Sequence, residues 1–180
     1  MADLTPLSSW FQMRPEYVVA VDRGVATSSG QFESRVFNWI SILASHNGSI
    51  WAVYHEDALE FVAIVFALWQ LGRTACIPGD SRPSTIQRLK SRVDGFAGEF
   101  PLDATVNLKS NSPVAESDFD WQSLESEFVG LEIYTSGSTG EPTAISKTIR
   151  QIELEVQALE SLWPSCQDGV VLSTVSHQHM

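Results

Sequence analysis

The chain has 180 residues, 43% of them apolar, and a net charge of −11 from 22 acidic against 11 basic side chains. That length and apolar content suit a soluble globular domain with a real core and exclude a disordered chain. The acidic balance sets general repulsion against duplex nucleic acid and anionic membranes, so neither is expected as a partner. A small anion such as a nucleotide stays open, because backbone amides and a metal ion supply positive potential locally.

Cys76 and Cys166 stand far apart, without the paired spacing of a zinc site or a disulfide framework. Both are expected to be reduced, buried thiols, which fits a cytoplasmic protein. The start, MADLTPLSSWFQMRPE, lacks the basic and apolar stretches of a signal peptide. The most apolar run, ALEFVAIVFALWQL at 58–71, is short of the about 20 residues a membrane span needs and contains Glu60. A buried helix is expected there, and no membrane span.

In chain order, Phe32, Val36, Trp39, Ile40 and Leu43 recur at helical spacing and predict a helix over 32–44. SIWAVYH at 49–55 reads as a strand, Asp57 as the cap of the apolar helix, and Gly72 as its terminator. Trp39, Trp51 and Trp69 are read as core. TACIPG at 74–79 is a further buried strand, followed by a helix begun by Pro83. Strand, helix, strand, helix predicts an α/β fold: a parallel-rich sheet flanked by helices. ATVNL at 104–108 is a weaker strand, and residues 110–128 read as a polar, acidic surface connection with an amphipathic turn around Trp121 and Leu124.

LEIYT at 131–135 is a strand that runs into the loop TSGSTGEPT, after which 144–147 read as extended again. A long helix follows, with Ile149, Ile152, Val156, Leu159 and Trp163 on one face, ended by Pro164. GVVLSTVS reads as a last strand leading to His177, Gln178, His179 and Met180.

A strand that opens into glycines and hydroxyl side chains can aim several N–H groups at one point, a geometry that suits phosphate. Ser136, Ser138 and Thr139 add hydroxyls, one of which could ligate Mg²⁺ beside a triphosphate. An ordinary surface turn has the same composition, so order must decide. Neither GxxxxGK[ST] nor GxGxxG is present. A GxSxG elbow fails by one residue, Ser136 standing where the first Gly belongs; a hydrolase reading would recruit Asp168 and His177 or His179 to Ser138.

The order YTSGSTGEPT resembles the signature loop of the adenylate-forming superfamily, whose pattern runs [YF]TSGSTGxPKG. ALEFVAIVFALWQLGRTACIPGD and STVSHQHM are similar to further segments of that family in the expected order, and EPTAISKTIRQIELEVQAL is most like acid ligases associated with aryl polyene or fatty acyl assembly. The resemblance implies the fold of part of the N-terminal subdomain and ATP-dependent activation of a small-molecule carboxylic acid as an acyl-adenylate. Transfer to CoA, or to the phosphopantetheine of an acyl carrier protein, would follow. It implies that Thr135, Ser136, Gly137, Ser138, Thr139 and Gly140 bind the nucleotide, that Thr139 serves catalysis and Mg²⁺, and that His179 borders the acid.

Where the family has a Lys after the loop's Pro, this chain has Thr143; Lys147 is the nearest cation and the candidate phosphate contact. The family's ribose-binding Asp, adenine-binding motif and C-terminal domain come later than Met180. Residues 1–180 are therefore expected to be a partial N-terminal AMP-binding domain, inactive alone, with the C-terminal domain absent. Incomplete packing would expose apolar faces and open the way to a homo-oligomer. A non-catalytic interaction domain derived from this fold is the second reading, and a serine hydrolase the third.

Overall fold

The computed structural model describes residues 7, 16–102, 105–106, 121–135, 143–163 and 176–177. The chain begins with a small antiparallel ribbon, β1 (Val18–Asp22) and β2 (Val25–Ser28), turned by Arg23 and Gly24, both at positive φ. Helix α1 (Ser29–Leu43) starts three residues before the apolar periodicity does. Its start is fixed by Ser28, whose side chain accepts the Gln31 N–H while the Gln31 side chain accepts the Ser28 N–H, a reciprocal capping box.

Strand β3 (Ile50–Tyr54), helix α2 (Ala58–Gln70), strand β4 (Thr74–Ile77) and helix α3 (Pro83–Leu89) realise the alternation expected from the sequence, and strand β5 (Gly95–Gly98) follows them. Asp57 caps α2 by accepting the Leu59 and Glu60 N–H groups, and Gly72, at φ +67°, turns the chain after it. Strands β6 (Val129–Thr135) and β7 (Thr143–Thr148) follow, then α4 (Ile149–Leu162). Thr148 and Gln151 form a second capping box at the start of α4.

The main sheet runs β5-β3-β4-β6-β7. Its first four strands are parallel, while β7 returns antiparallel beside β6. Period-two alternation sends successive side chains to opposite faces. Trp51, Val53, Ala75, Ile77 and Leu131 join the core formed with α1 and α2, whereas Ala52 and Cys76 join Ile86, Leu89 and Phe100 on the α3 side. Trp39, Trp51 and Trp69 are all buried. Glu60, the one charge in the apolar helix, is satisfied by Arg35 at 2.5 Å and by the Trp39 indole N–H at 2.9 Å.

Strand β5 has little strand propensity, and the sequence reading does not contain it. It pairs with β3, and only a residue without a side chain fits at its ends. A Cβ on Gly95 would stand 2.4 Å from the Trp51 ring, and one on Gly98, at φ +99°, would stand 2.1 Å from the Tyr54 carbonyl oxygen. Of the strand expected at 104–108, Val106 forms a single parallel bridge to Ala97; Ala104, Asn107 and Leu108 lie outside the described residues. The described part of the 110–128 connection carries neither helix nor strand before Val129. It is tied down all the same. Leu124 is buried, Trp121 packs on the core, and the Gln70 side chain exchanges two hydrogen bonds with the Gln122 backbone at 2.9 Å each.

Candidate functional site

Four parallel strands end on one edge of the sheet, the edge at which open α/β sheets place their ligand crevices. Along that edge stand Glu99 after β5, His55 after β3, Pro78 and Gly79 after β4, and Thr135 at the end of β6. The β6–β7 ladder pairs Thr135 with Thr143, so seven residues, 136–142, connect two adjacent strand ends at the carboxyl edge. Ser136, Gly137, Ser138, Thr139 and Gly140 fall in that connection and lie outside the described residues, as do His179, Asp168, Cys166 and most of the expected last strand.

The strand that leads into the loop is well anchored. Leu131 is buried on the α1–α2 side, and the Trp69 indole donates to the Gly130 carbonyl at 2.7 Å. On the other face, Arg92 donates to the Tyr134 hydroxyl at 3.2 Å and lies over its ring, 5.8 Å from the centroid. Tyr134, the residue directly before the loop's Thr135, is thereby held against the α3 side of the sheet.

A carboxylate stands at or near each of the two helix starts at this edge, although only the start of α2 has a side-chain cap. Asp57 caps α2. Before α3, Asp80 accepts the Thr85 hydroxyl at 2.6 Å and the Arg82 N–H at 3.0 Å. Partial burial works against the Asp80 charge, but those hydrogen bonds, with Arg82 and Arg88 nearby, outweigh it and hold its carboxyl below the ordinary range.

Cys76 is buried on the α3 side of β4. Burial, then the neighbouring Glu132, push its thiol up to about 12 against the opposing pull of Arg92, which leaves little thiolate at neutral pH.

Several solved structures share this fold. The N-terminal subdomain of Klebsiella oxytoca NpsA, in complex with 3-hydroxyanthranilyl-AMSN, is 19% identical over 82% of this chain and 41% of its own, with a TM-score of 0.64. The o-succinylbenzoate CoA synthetase MenE of Bacillus subtilis, in complex with its acyl-adenylate intermediate, is 16% identical over 87% of this chain and 44% of its own, at 0.69. The amide bond synthetase McbA of Marinactinospora thermotolerans is 15% identical over 84% and 36%, at 0.57. The fold is that of the N-terminal part of adenylate-forming enzymes. No protein-family model matches the chain, and no curated protein does. It spans less than half the length of these adenylate-forming structures.

Within this adenylate-forming fold, Lys147 stands at the far end of β7 from the loop. It pairs with Leu131 in the ladder while Thr143 pairs with Thr135, a separation of about 13 Å along the strand. Its ammonium is bonded to the Glu155 carboxylate of α4.

A cluster at the carboxyl edge is absent from the sequence reading, which places His55 only as the last residue of the expected strand at 49–55. The Asp57 N–H donates to His55 Nδ1 at 3.0 Å, and His55 Nε2 faces the Glu99 carboxylate at 3.8 Å. Glu99 also accepts the Glu56 N–H at 2.9 Å. His177 Nε2 lies 2.8 Å from the His55 carbonyl oxygen, and its ring packs on Phe61. The only signal in the sequence is the position of His55 directly after a buried strand; its partners Glu99 and His177 are 44 and 122 residues away and leave no local pattern. Among the described residues, no group of three His, Cys, Asp or Glu side chains is placed to hold a metal ion, and no helix is long and apolar enough to cross a membrane.

Proposed function

We propose that the chain is the AMP-binding N-terminal part of an ATP-dependent acid–thiol ligase. The observation that carries this reading is the β6–β7 hairpin: a strand anchored in the core reaches the carboxyl edge directly before TSGSTGEPT, in a fold shared with a synthetase solved in complex with its acyl-adenylate intermediate. A carboxylate oxygen of the acid attacks the α-phosphorus of ATP, forming one P–O bond as the bond to pyrophosphate breaks. A thiol then attacks the acyl carbonyl and releases AMP, its proton passing to solvent. CoA, or the phosphopantetheine of an acyl carrier protein, is the acceptor.

In this reading the N–H groups of residues 135–140 hold the β and γ phosphates, and Thr139 is the catalytic hydroxyl. The hard oxygen donors of Ser138 and Thr139 fit Mg²⁺, which when bound neutralises phosphate charge. Arg92 serves the loop indirectly by fixing Tyr134. With Lys147 engaged by Glu155, phosphate grip rests on main-chain donors and the metal rather than on a lysine after the loop.

The test is acid-dependent pyrophosphate exchange by the full-length gene product across aryl and fatty acids. Exchange that falls about 10²-fold in the double variant S138A/T139A is the expected result. Silence across the whole panel overturns the ligase reading. The replacement of the family's Lys by Thr143 favours the second reading, a non-catalytic interaction domain, which predicts that silence together with retained folding. A hydrolase would label at Ser138 with a phosphonate probe; against it, His177 has committed Nε2 to a backbone carbonyl.

A further inference from the structure

His55 stands where three pieces of the carboxyl edge meet: the end of β3, the entry to α2 and the residue that follows β5. The Asp57 N–H donates to its Nδ1 at 3.0 Å. A ring nitrogen that accepts carries no hydrogen, so the neutral imidazole holds its hydrogen on Nε2, which faces Glu99 Oε1 at 3.8 Å. The other Glu99 oxygen accepts the Glu56 N–H at 2.9 Å and so keeps the carboxylate beside the ring. Only 13% of the His55 side chain is exposed, which limits how far solvent screens these contacts.

Among the described residues, the ionisable groups set around His55 are Glu99 after β5, Glu56 and Asp57 at the entry to α2, and His177. The Asp57 carboxylate accepts the Leu59 and Glu60 N–H groups. His177 meets the His55 carbonyl oxygen through Nε2, which carries the hydrogen in the bonded neutral ring and in the charged ring alike, so that bond survives protonation of either histidine.

We propose that His55 is a proton-operated switch of the carboxyl edge, which exchanges one partner for another. While the ring is neutral, Nδ1 holds the Asp57 N–H and with it the chain entering α2. A second proton can go only to Nδ1, where it meets that N–H head-on and ends the hydrogen bond; the charge it brings draws Nε2–H onto Glu99. Acid therefore frees the entry to α2 from the end of β3 and ties that end to the residue after β5.

The test is amide hydrogen exchange of the full-length gene product, read residue by residue by mass spectrometry from about pH 8 to about pH 5, the interval over which imidazoles change charge. Protection of the Asp57 amide, corrected for intrinsic exchange, is expected to fall about fivefold, the equivalent of one net hydrogen bond. In His55→Asn the side-chain oxygen can accept the same N–H two residues on and takes up no proton, so protection should stay flat. Constant Asp57 protection in the parent overturns the proposal. An equal fall in His55→Asn, which assigns the effect to a carboxylate, also overturns it, as does a parallel fall in β3 and β4, the mark of global acid unfolding. Should His55→Asn not fold, ¹⁵N NMR of the histidine rings in the parent decides: a loss of Asp57 protection that tracks protonation of His55 Nδ1 supports the switch, and a loss at a different pH overturns it.

Discussion

Helices α2 and α4 are similar in length and both are rich in apolar residues, yet they sit in the molecule in opposite ways. Eight of the thirteen residues of α2 are buried, between α1 and the sheet, whereas α4 buries only Ile149. Along the apolar face of α4 exposure grows with distance from β7: Ile152 is half-buried, Val156 is 46% exposed, Leu159 52%, and Trp163, just past the end, 57%. The contrast separates two kinds of sequence signal. A helix that is apolar all round has to be enclosed to exist in water, while an amphipathic one can leave part of its apolar face open when its start is anchored, as α4 is by its capping box and buried Ile149.

The sharpest way to break this contrast is to cut a cavity in α2. Ile64→Ala, at a position with no exposure, should cost about 2–5 kcal/mol in urea unfolding. Next comes the strand that α2 helps to cover: Gly98→Ala would force a side chain onto the Tyr54 carbonyl oxygen at positive φ, and should lower stability by more than about 1 kcal/mol. Removing the α2 cap with Asp57→Ala should cost about 1 kcal/mol by the same measurement.

A smaller effect appears in the pH dependence. Asp94 accepts the Ile50 and Ser49 N–H groups at 2.9 and 2.6 Å, which hold its carboxyl below the ordinary carboxylate range. Its contribution is therefore complete above the unfolded value of about 3.9 and is lost as pH falls through the folded one, so Asp94→Asn should flatten the stability profile below about pH 4. The smallest expected effect is on α4, where Leu159→Ser should change the stability of this chain by less than about 0.5 kcal/mol. A loss as large as that of Ile64→Ala would show that the apolar face of α4 is covered and would erase the difference between the helices.

Most of the main sheet could be read in the sequence, because IWAVY, TACI and LEIYT combine apolar content with short length and the helices between them carry caps and stops. The start of α1 was available in Ser28 and Gln31, whose spacing is that of a capping box, but the apolar period begins only at Phe32. Strand β5 was not available. GFAG is poor strand sequence, and its reason for being lies in Trp51 and Tyr54 on the neighbouring strand. The candidate site divides the same way. The loop motif is local and stands out at once, whereas the His55, Glu99 and His177 cluster is made by topology. The engagement of Lys147 with Glu155 was legible only in hindsight, since it depends on how α4 leaves β7.

The burial of Cys76 has a practical corollary. A thiol with so little thiolate at neutral pH, closed off beneath α3, reacts with a disulfide reagent only when the sheet opens. In a chain with Cys166 replaced by Ser, its labelling rate is thus a clock for the opening of β4; on the ligase reading proposed above, saturating ATP would slow that clock by the factor with which it favours the closed sheet.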